Sequence, residues 1–287
     1  MPRMWIVDCF MLDAESAAKY ELPFAYLDEH VRKMREQKPR SWYRAQWWQL
    51  YAQRPEMRKA LDGLTRFIVT ARVSKHRLFA WQTTPISPDC QLIVFARSDD
   101  LFFGILHSRF HEVWALRMGT RLETRPRYTP TTCFETFPFP PGVLTDTRQA
   151  TPDTLFPGIA AAARELNQLR ENWLNPSDWT RTETLEFPGT VGGPWDRYID
   201  PATVEDRGSF KVGTVRYPRI VPRDANCAAK LKKRTLTNLY NERPAWLAAI
   251  HDRLDAAVAA AYGWPSNLPN DTILEKLLEL NLANGAE

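Results

Sequence analysis

The sequence predicts an α+β protein, with a small sheet inside a mixed α/β region and a mainly helical C-terminal region behind it. Three observations predict this. β-Branched and aromatic residues cluster in short runs between 66 and 96. Apolar residues recur at helical spacing over 101–118, 157–173 and 244–262. The 287 residues, 44% hydrophobic and 25% charged, suffice for a sizeable core and exclude a disordered chain.

Trp5-Ile-Val-Asp8 reads as a short buried strand. Asp13 is the expected N-cap of a helix beginning at Ala14. Pro23 opens a second helical run, Phe24 to Glu36, with Phe24, Leu27, Val31 and Met34 on one face. Trp42, Trp47 and Trp48 make the next segment unusually aromatic, and packing is their expected role. Pro55 to Leu61 is a short helix closed by Gly63.

Arg66–Val73, Arg77–Trp81 and Gln91–Ala96 read as three strands, with Pro85 and Pro88 marking a loop between the last two. In a half-buried sheet, alternation would send their aromatics inward and their charges outward. Asp99 or Asp100 caps one helix from Leu101 to about Met118. Thr120 to Thr132 reads as an exposed loop, and Phe134 to Gly142 is too rich in proline for a helix. Pro157 to about Trp173 is helical. Residues 174–229 form an irregular excursion with an extended piece at Val212–Tyr217. Pro244 opens a helix that Gly263 and Pro265 stop, and Asp271 caps a final one, Ile273 to Leu282.

Charge is unevenly spread. Net charge is only +4. Residues 32–77 nevertheless carry thirteen Lys and Arg against three acids, while residues 1–31 are acidic. A block this basic points to a polyanionic partner or to a solvated basic surface. No apolar run approaches the ~18 residues of a membrane span, and no secretory signal is recognisable, so a cytoplasmic protein is expected.

The four cysteines, at 9, 90, 133 and 227, are too dispersed for a cysteine zinc site, and reduced thiols are expected. His107 and His111 sit four apart on a helix, but no third ligand is apparent, so no metal is expected. GxGxxG, GxxxxGK[ST] and GxSxG motifs are absent. The positive signal is Arg66, Arg72, Lys75, His76 and Arg77 among aromatics, followed by Arg121, Arg125, Arg127 and Tyr128 in the polar segment. Such arginines can neutralise phosphates or bind guanine edges bidentately.

These residues also carry a resemblance. Arg54 to Leu61, Arg66 to Arg77, Phe102 to Trp114, Arg127 to Pro140, Lys233 to Asn241, Arg243 to Leu247 and Ala260 to Pro265 resemble the MmeI-like family of fused restriction–modification, adenine-specific DNA methyltransferases. The resemblance spans nearly the whole chain. It implies that residues 1–40 are the C-terminal edge of a methyltransferase catalytic domain, 41–145 a target recognition domain, and 150–287 a C-terminal helical region. It implies sequence-specific binding of double-stranded DNA through the nine residues just named.

The family's Asn-Pro-Pro-Tyr/Phe motif is missing, and Asn175-Pro-Ser-Asp178 does not replace it. The glycine-rich cofactor loop and the nuclease domain are missing too. No catalytic residue and no cofactor are therefore expected in this chain, S-adenosylmethionine belonging to the complete enzyme. The expected chain is a recognition module. The alternatives are one subunit of a split methyltransferase beside a separate catalytic chain, a non-functional remnant of a truncated gene, and a single-strand binder that stacks bases on the tryptophans.

Overall fold

The computed structural model describes residues 5–123, 125–144, 150–208 and 210–284. The chain divides into two compact units, 1–62 and 63–287. These units are compact bodies, distinct from the regions of function expected at 1–40, 41–145 and 150–287; residues 145–149 lie outside the described residues.

The first unit holds five short helices: α1 (Ala14–Ala18), α2 (Glu21–Leu27), α3 (Lys33–Glu36), α4 (Ser41–Ala45) and α5 (Pro55–Leu61). The carboxylate of Asp13 caps α1 by accepting from the Ser16 amide at 2.7 Å, as expected. Pro23 falls in the first turn of α2, where the N–H that proline lacks would have had no helical partner. A π turn, Asp28–Arg32, joins α2 to α3. The extra residue of this turn rotates α3 relative to α2. Leu27 is accordingly buried, with Phe24 and Val31 packed around it, while Met34 is 61% exposed rather than on their face. Residues 5–8 form no strand, and Trp5 and Ile6 are exposed: among the described residues no strand ladder includes this segment. Trp47 packs with Cys9, Ala17 and Leu27, its ring 5.1 Å from that of Phe24. Trp48 donates to the Leu12 carbonyl at 2.9 Å.

The second unit is built on an antiparallel sheet of β1 (Arg66–Ala71), β2 (Phe79–Thr83) and β3 (Leu92–Phe95), in the order β2-β1-β3. Ile68 lies opposite both Trp81 and Phe95. The expected half-buried alternation holds in β3, where Ile93 and Phe95 are buried and Leu92 and Val94 partly exposed, but not in the central strand: Phe67, Ile68, Val69 and Thr70 are all buried, so β1 offers no solvated face for outward charges.

α6 (Asp100–His107) and α7 (Arg109–Met118) replace the single predicted helix. Ser108 divides them. Its backbone is extended, and its hydroxyl donates to the Ile105 carbonyl at 2.6 Å while receiving the His111 amide of the next helix. Asp99, rather than Asp100, caps α6. The segment read as a loop after 119 contains a hairpin, β4 (Thr120–Leu122) and β5 (Arg125–Arg127), then α8 (Pro130–Cys133).

α9 (Pro157–Leu174) packs on α6. Gly104 makes the close approach possible: a Cβ there would lie 2.7 Å from Ile159 Cγ2 and 3.2 Å from the Ile159 carbonyl oxygen. The extended piece expected at Val212–Tyr217 lies within one strand of a long antiparallel ribbon, which takes the place of much of the irregular excursion. β6 (Thr180–Thr190) pairs with β8 (Lys211–Pro222) along its whole length, and β7 (Glu205–Asp206) adds to the end of β8. Glycine and proline disguised it. Pro188 and Pro218 are tolerated because each strand of a ribbon keeps an edge free of ladder bonds. α10 (Ala225–Leu231), α11 (Leu236–Glu242), α12 (Ala245–Ala261) and α13 (Asn270–Asn284) complete the chain. Leu101, Ile105, Phe110 and Trp114 share one core with Ile159, Leu166, Leu247, Leu254 and Leu277, so the C-terminal helices and the helices behind the sheet fold as one body.

Among the described residues no helix is long and apolar enough to cross a membrane.

Candidate nucleic-acid interface

The nine residues singled out from sequence separate into three groups. The first is exposed: Lys75, Arg121, Arg125 and Arg127, with Arg72 and His76 half-buried beside them. The backbone brings these together. Val73 bridges Arg127, the Ser74 amide donates to the Pro126 carbonyl at 3.3 Å, and the Tyr128 amide donates to the Arg72 carbonyl at 2.8 Å. The β4–β5 hairpin is thereby stitched along the loop that leaves β1. Within the hairpin, Thr120 faces Arg127 and Leu122 faces Arg125. Alternation therefore places Arg125 and Arg127 on one face of the ribbon and Arg121 on the other. Arg125 pairs with Glu123 at 3.1 Å, both exposed. A major groove is wide enough for a two-stranded ribbon of this kind.

The second group is interior. Arg77 and Tyr128, predicted to face a partner, are 7% and 1% exposed. The Arg77 guanidinium donates to Thr70 Oγ1 at 3.0 Å, to the Ala71 carbonyl and to the Pro126 carbonyl at 3.3 Å, and lies over the Tyr128 ring. Burial pushes its pKa down and that of the Tyr128 phenol well up. These two residues hold the hairpin against the sheet instead of projecting from it. Sequence reasoning missed this because a polar side chain inside a basic cluster looks solvent-facing, and only the fold supplies the carbonyls that bury it.

The third group is Arg66 alone. It sits at the opposite end of β1 from Ala71, about 17 Å away by strand rise. It ion-pairs with Asp100 at 3.0 Å, donates to the Ser98 carbonyl and stacks 3.9 Å over Trp81. Arg66 therefore braces the far end of the sheet, away from the basic residues of the first group.

The pair His107 and His111 lies behind the sheet, fully buried in hydrogen bonds. His107 Nε2 accepts from the Phe79 amide at 3.1 Å and from Arg170 at 2.8 Å, while Nδ1 faces the Phe103 carbonyl. His111 Nε2 accepts from the Tyr128 hydroxyl at 3.1 Å, and Nδ1 faces the Leu106 carbonyl. Both rings are thus neutral with the proton on Nδ1. Desolvation holds His107 well below the usual imidazole range and pushes His111 down to about 3. Among the described residues no three His, Cys, Asp or Glu side chains gather closely enough to hold a metal ion.

In the first unit the basic block is largely tied internally. Arg32 bridges Asp28 and Glu36, Arg35 donates to the Trp47 carbonyl, Arg44 to the Lys38 carbonyl, and Arg58 pairs with Asp8. Arginines bound to carbonyls keep their full charge, so this surface stays basic although its side chains are fixed.

Fold and surface together define a class: an α+β domain in which a small sheet, backed by helices, presents a basic two-stranded ribbon at its edge. Residues 4–141 match the family model of the MmeI target recognition domain. A solved structure, that of the type IIL restriction–modification enzyme MmeI in complex with DNA, is similar over 95% of this chain, with a TM-score of 0.59 and 16% identity. The chain spans 28% of the length of that enzyme, so the likeness concerns the fold. No curated protein matches the chain.

One residue of this surface escaped the sequence reading. Asn241 on α11 accepts from Lys75 Nζ at 2.6 Å and from His76 Nε2 at 2.9 Å, through the same side-chain oxygen. Nothing local in the sequence ties positions 75 and 241. The basic run Lys230-Leu-Lys-Lys-Arg234 just before α11 was the available hint.

Proposed function

We propose that this chain is the sequence-specific, double-stranded DNA recognition module of a site-specific adenine methyltransferase in a restriction–modification system. The observation that carries the reading is the exposed basic hairpin, Arg121, Arg125 and Arg127, stitched to the Arg72–His76 loop within the segment that matches the target recognition family. The hairpin would enter the major groove, where an arginine bound bidentately to guanine contributes ~1–3 kcal/mol of discrimination. Lys75 and Arg72 would grip phosphates and fix register.

Methyl transfer is assigned elsewhere. The concave surface of the first unit, lined by Val31, Met34, Arg35, Gln37, Lys38 and Tyr43, offers neither a carboxylate for ribose hydroxyls nor a glycine-rich turn, and so does not fit S-adenosylmethionine. The catalytic partner would flip the target base into its own pocket while this module holds the duplex. A separate catalytic chain is the partner expected on this reading.

The test is duplex binding by the purified chain across a salt series. Steep weakening with salt is expected, and Arg127→Ala should lower the slope by about 0.9 if it neutralises one phosphate, or relax base preference if it reads a base. Affinity for duplex DNA at low salt no higher than that of a neutral control protein would overturn the reading.

A further inference from the structure

We propose that the C-terminal helical region forms part of the DNA-binding surface, through a strip of Lys75, Asn241 and Lys233 that takes the phosphodiester backbone beside the hairpin. The proposal deepens the function proposed above and rests on it. It concerns residues beyond 141, where the target recognition family match ends.

Three observations converge. First, Lys75 and His76 both donate to the side-chain oxygen of Asn241, an exposed residue of α11. Two donors occupy the lone pairs of that oxygen, so the amide's own two N–H groups are left for an acceptor. Lys75 likewise spends one of its three N–H donors here. Second, the tie is neutral. A carboxylate at 241 would hold the same two donors more strongly but would cancel their charge, whereas the amide fixes the loop and leaves its cations intact. The nearby Glu112 is already countered by Arg243 and Arg77 as well as by His76. Third, Asn238, three residues before Asn241, donates from its amide to the Lys233 carbonyl at 2.8 Å. Residues three apart share a helix face and lie about 4.5 Å apart along the axis. The backbone of Lys233, itself an exposed residue, is thereby held beside the helix face that carries Asn238 and Asn241. Ammonium and amide donors gathered on one surface suit the regularly spaced acceptors of a nucleic-acid backbone and carry no information about base identity.

The test measures binding of a labelled duplex of random sequence to the full chain, by fluorescence anisotropy over a salt series. Lys233→Gln should lower the log–log salt slope by about 0.9, and so weaken binding roughly eightfold at 0.1 M salt. Asn241→Asp keeps the hold on Lys75 and His76 but adds a negative charge, and should weaken binding at least as much. Arg253→Gln, which removes a cation paired with Glu165 away from this strip, should leave affinity and slope unchanged. Melting temperatures accompany each measurement. If the wild-type chain binds with a steep slope while Lys233→Gln and Asn241→Asp match it, the strip is overturned and the recognition reading stands. A loss that merely tracks a fall in melting temperature in both variants overturns it as well. A wild-type chain without salt-dependent binding overturns the recognition reading itself.

Discussion

Lowering the pH from 7 to 5 should destabilise the second unit severely, through three histidines that the fold keeps neutral. His111 is pushed down to about 3 and His251 to about 4, each chiefly by burial, and His107 is held well below its usual range by burial and then by the Arg170 charge. An unfolded imidazole titrates near 6.5. Below that value the unfolded chain takes up protons that the folded chain refuses, so stability is present above pH 6.5 and is lost as the pH falls toward the folded values. At pH 5 His111 and His251 each cost about 2 kcal/mol, about 4 kcal/mol together, and His107 adds to the loss in the same direction. Asp255 acts in the opposite sense. Burial raises its carboxyl to about 6 despite the 2.7 Å bond it accepts from the Arg109 amide. The folded state therefore gains a proton there before the unfolded state does, returning about 1 kcal/mol between pH 7 and 5. For His111, His251 and Asp255 together the net loss is about 3 kcal/mol, a large fraction of a domain's stability. Stopping at pH 5 keeps Asp13 and Asp224, whose pKa values are lowered by helix-capping bonds, ionised in both states. Urea unfolding followed by tryptophan fluorescence at the two pH values measures the difference, and His111→Gln should shrink it by about 2 kcal/mol. Unfolding free energies within about 1 kcal/mol of each other at pH 7 and 5 would refute the neutral, buried assignment.

Three further outcomes are expected. Gly104→Ala should destabilise by about 1–2 kcal/mol, because the strain of a methyl against Ile159 and its carbonyl outweighs the better helix propensity of alanine; a thermal melt measures it. Tyr128→Phe should cost about 1–2 kcal/mol by leaving His111 Nε2 without its donor, while the exposed hairpin arginines keep duplex binding close to wild type; denaturation and anisotropy report the two parts. Arg66→Ala should lower stability by about 2–3 kcal/mol, since buried Asp100 loses one of its two arginines, yet leave duplex affinity within twofold; equal losses of affinity in Arg66→Ala and Arg127→Ala would contradict the division of the basic residues drawn above.

Local rules made much of the fold readable in the sequence. Asp13, Asp99, Pro55 and Pro157 stand where helix starts require them, and the β-branched runs at 66–71 and 92–95 form strands. What escaped depended on partners distant in sequence. The β6–β8 ribbon needs a register between 180 and 222 that no local pattern encodes, and its prolines argued against it. Residues 5–8 had strand composition but join no strand ladder among the described residues. At the candidate site the fold gathers Arg72, Lys75, His76, Arg121, Arg125 and Arg127 as a cluster, and directs the other residues singled out elsewhere. Arg77 and Tyr128 turn inward because Thr70, Ala71 and Pro126 offer oxygens there, and Arg66 is claimed by Asp100, thirty-four positions later. Asn241 meets Lys75 across 166 positions, beyond the reach of any periodicity.

The hold of α9 on the sheet carries a consequence for any transplant of this module. Arg170 grips both the Phe79 carbonyl and His107, and Ile159 fills the hollow over Gly104. A graft cut near residue 144 would bare Leu101, Ile105, Phe110 and Trp114 and leave an imidazole facing water through a missing wall. Exchange of specificity between relatives must therefore move residues 63–284 as one piece, or change only the tips of the loop and hairpin and leave their foundations in place.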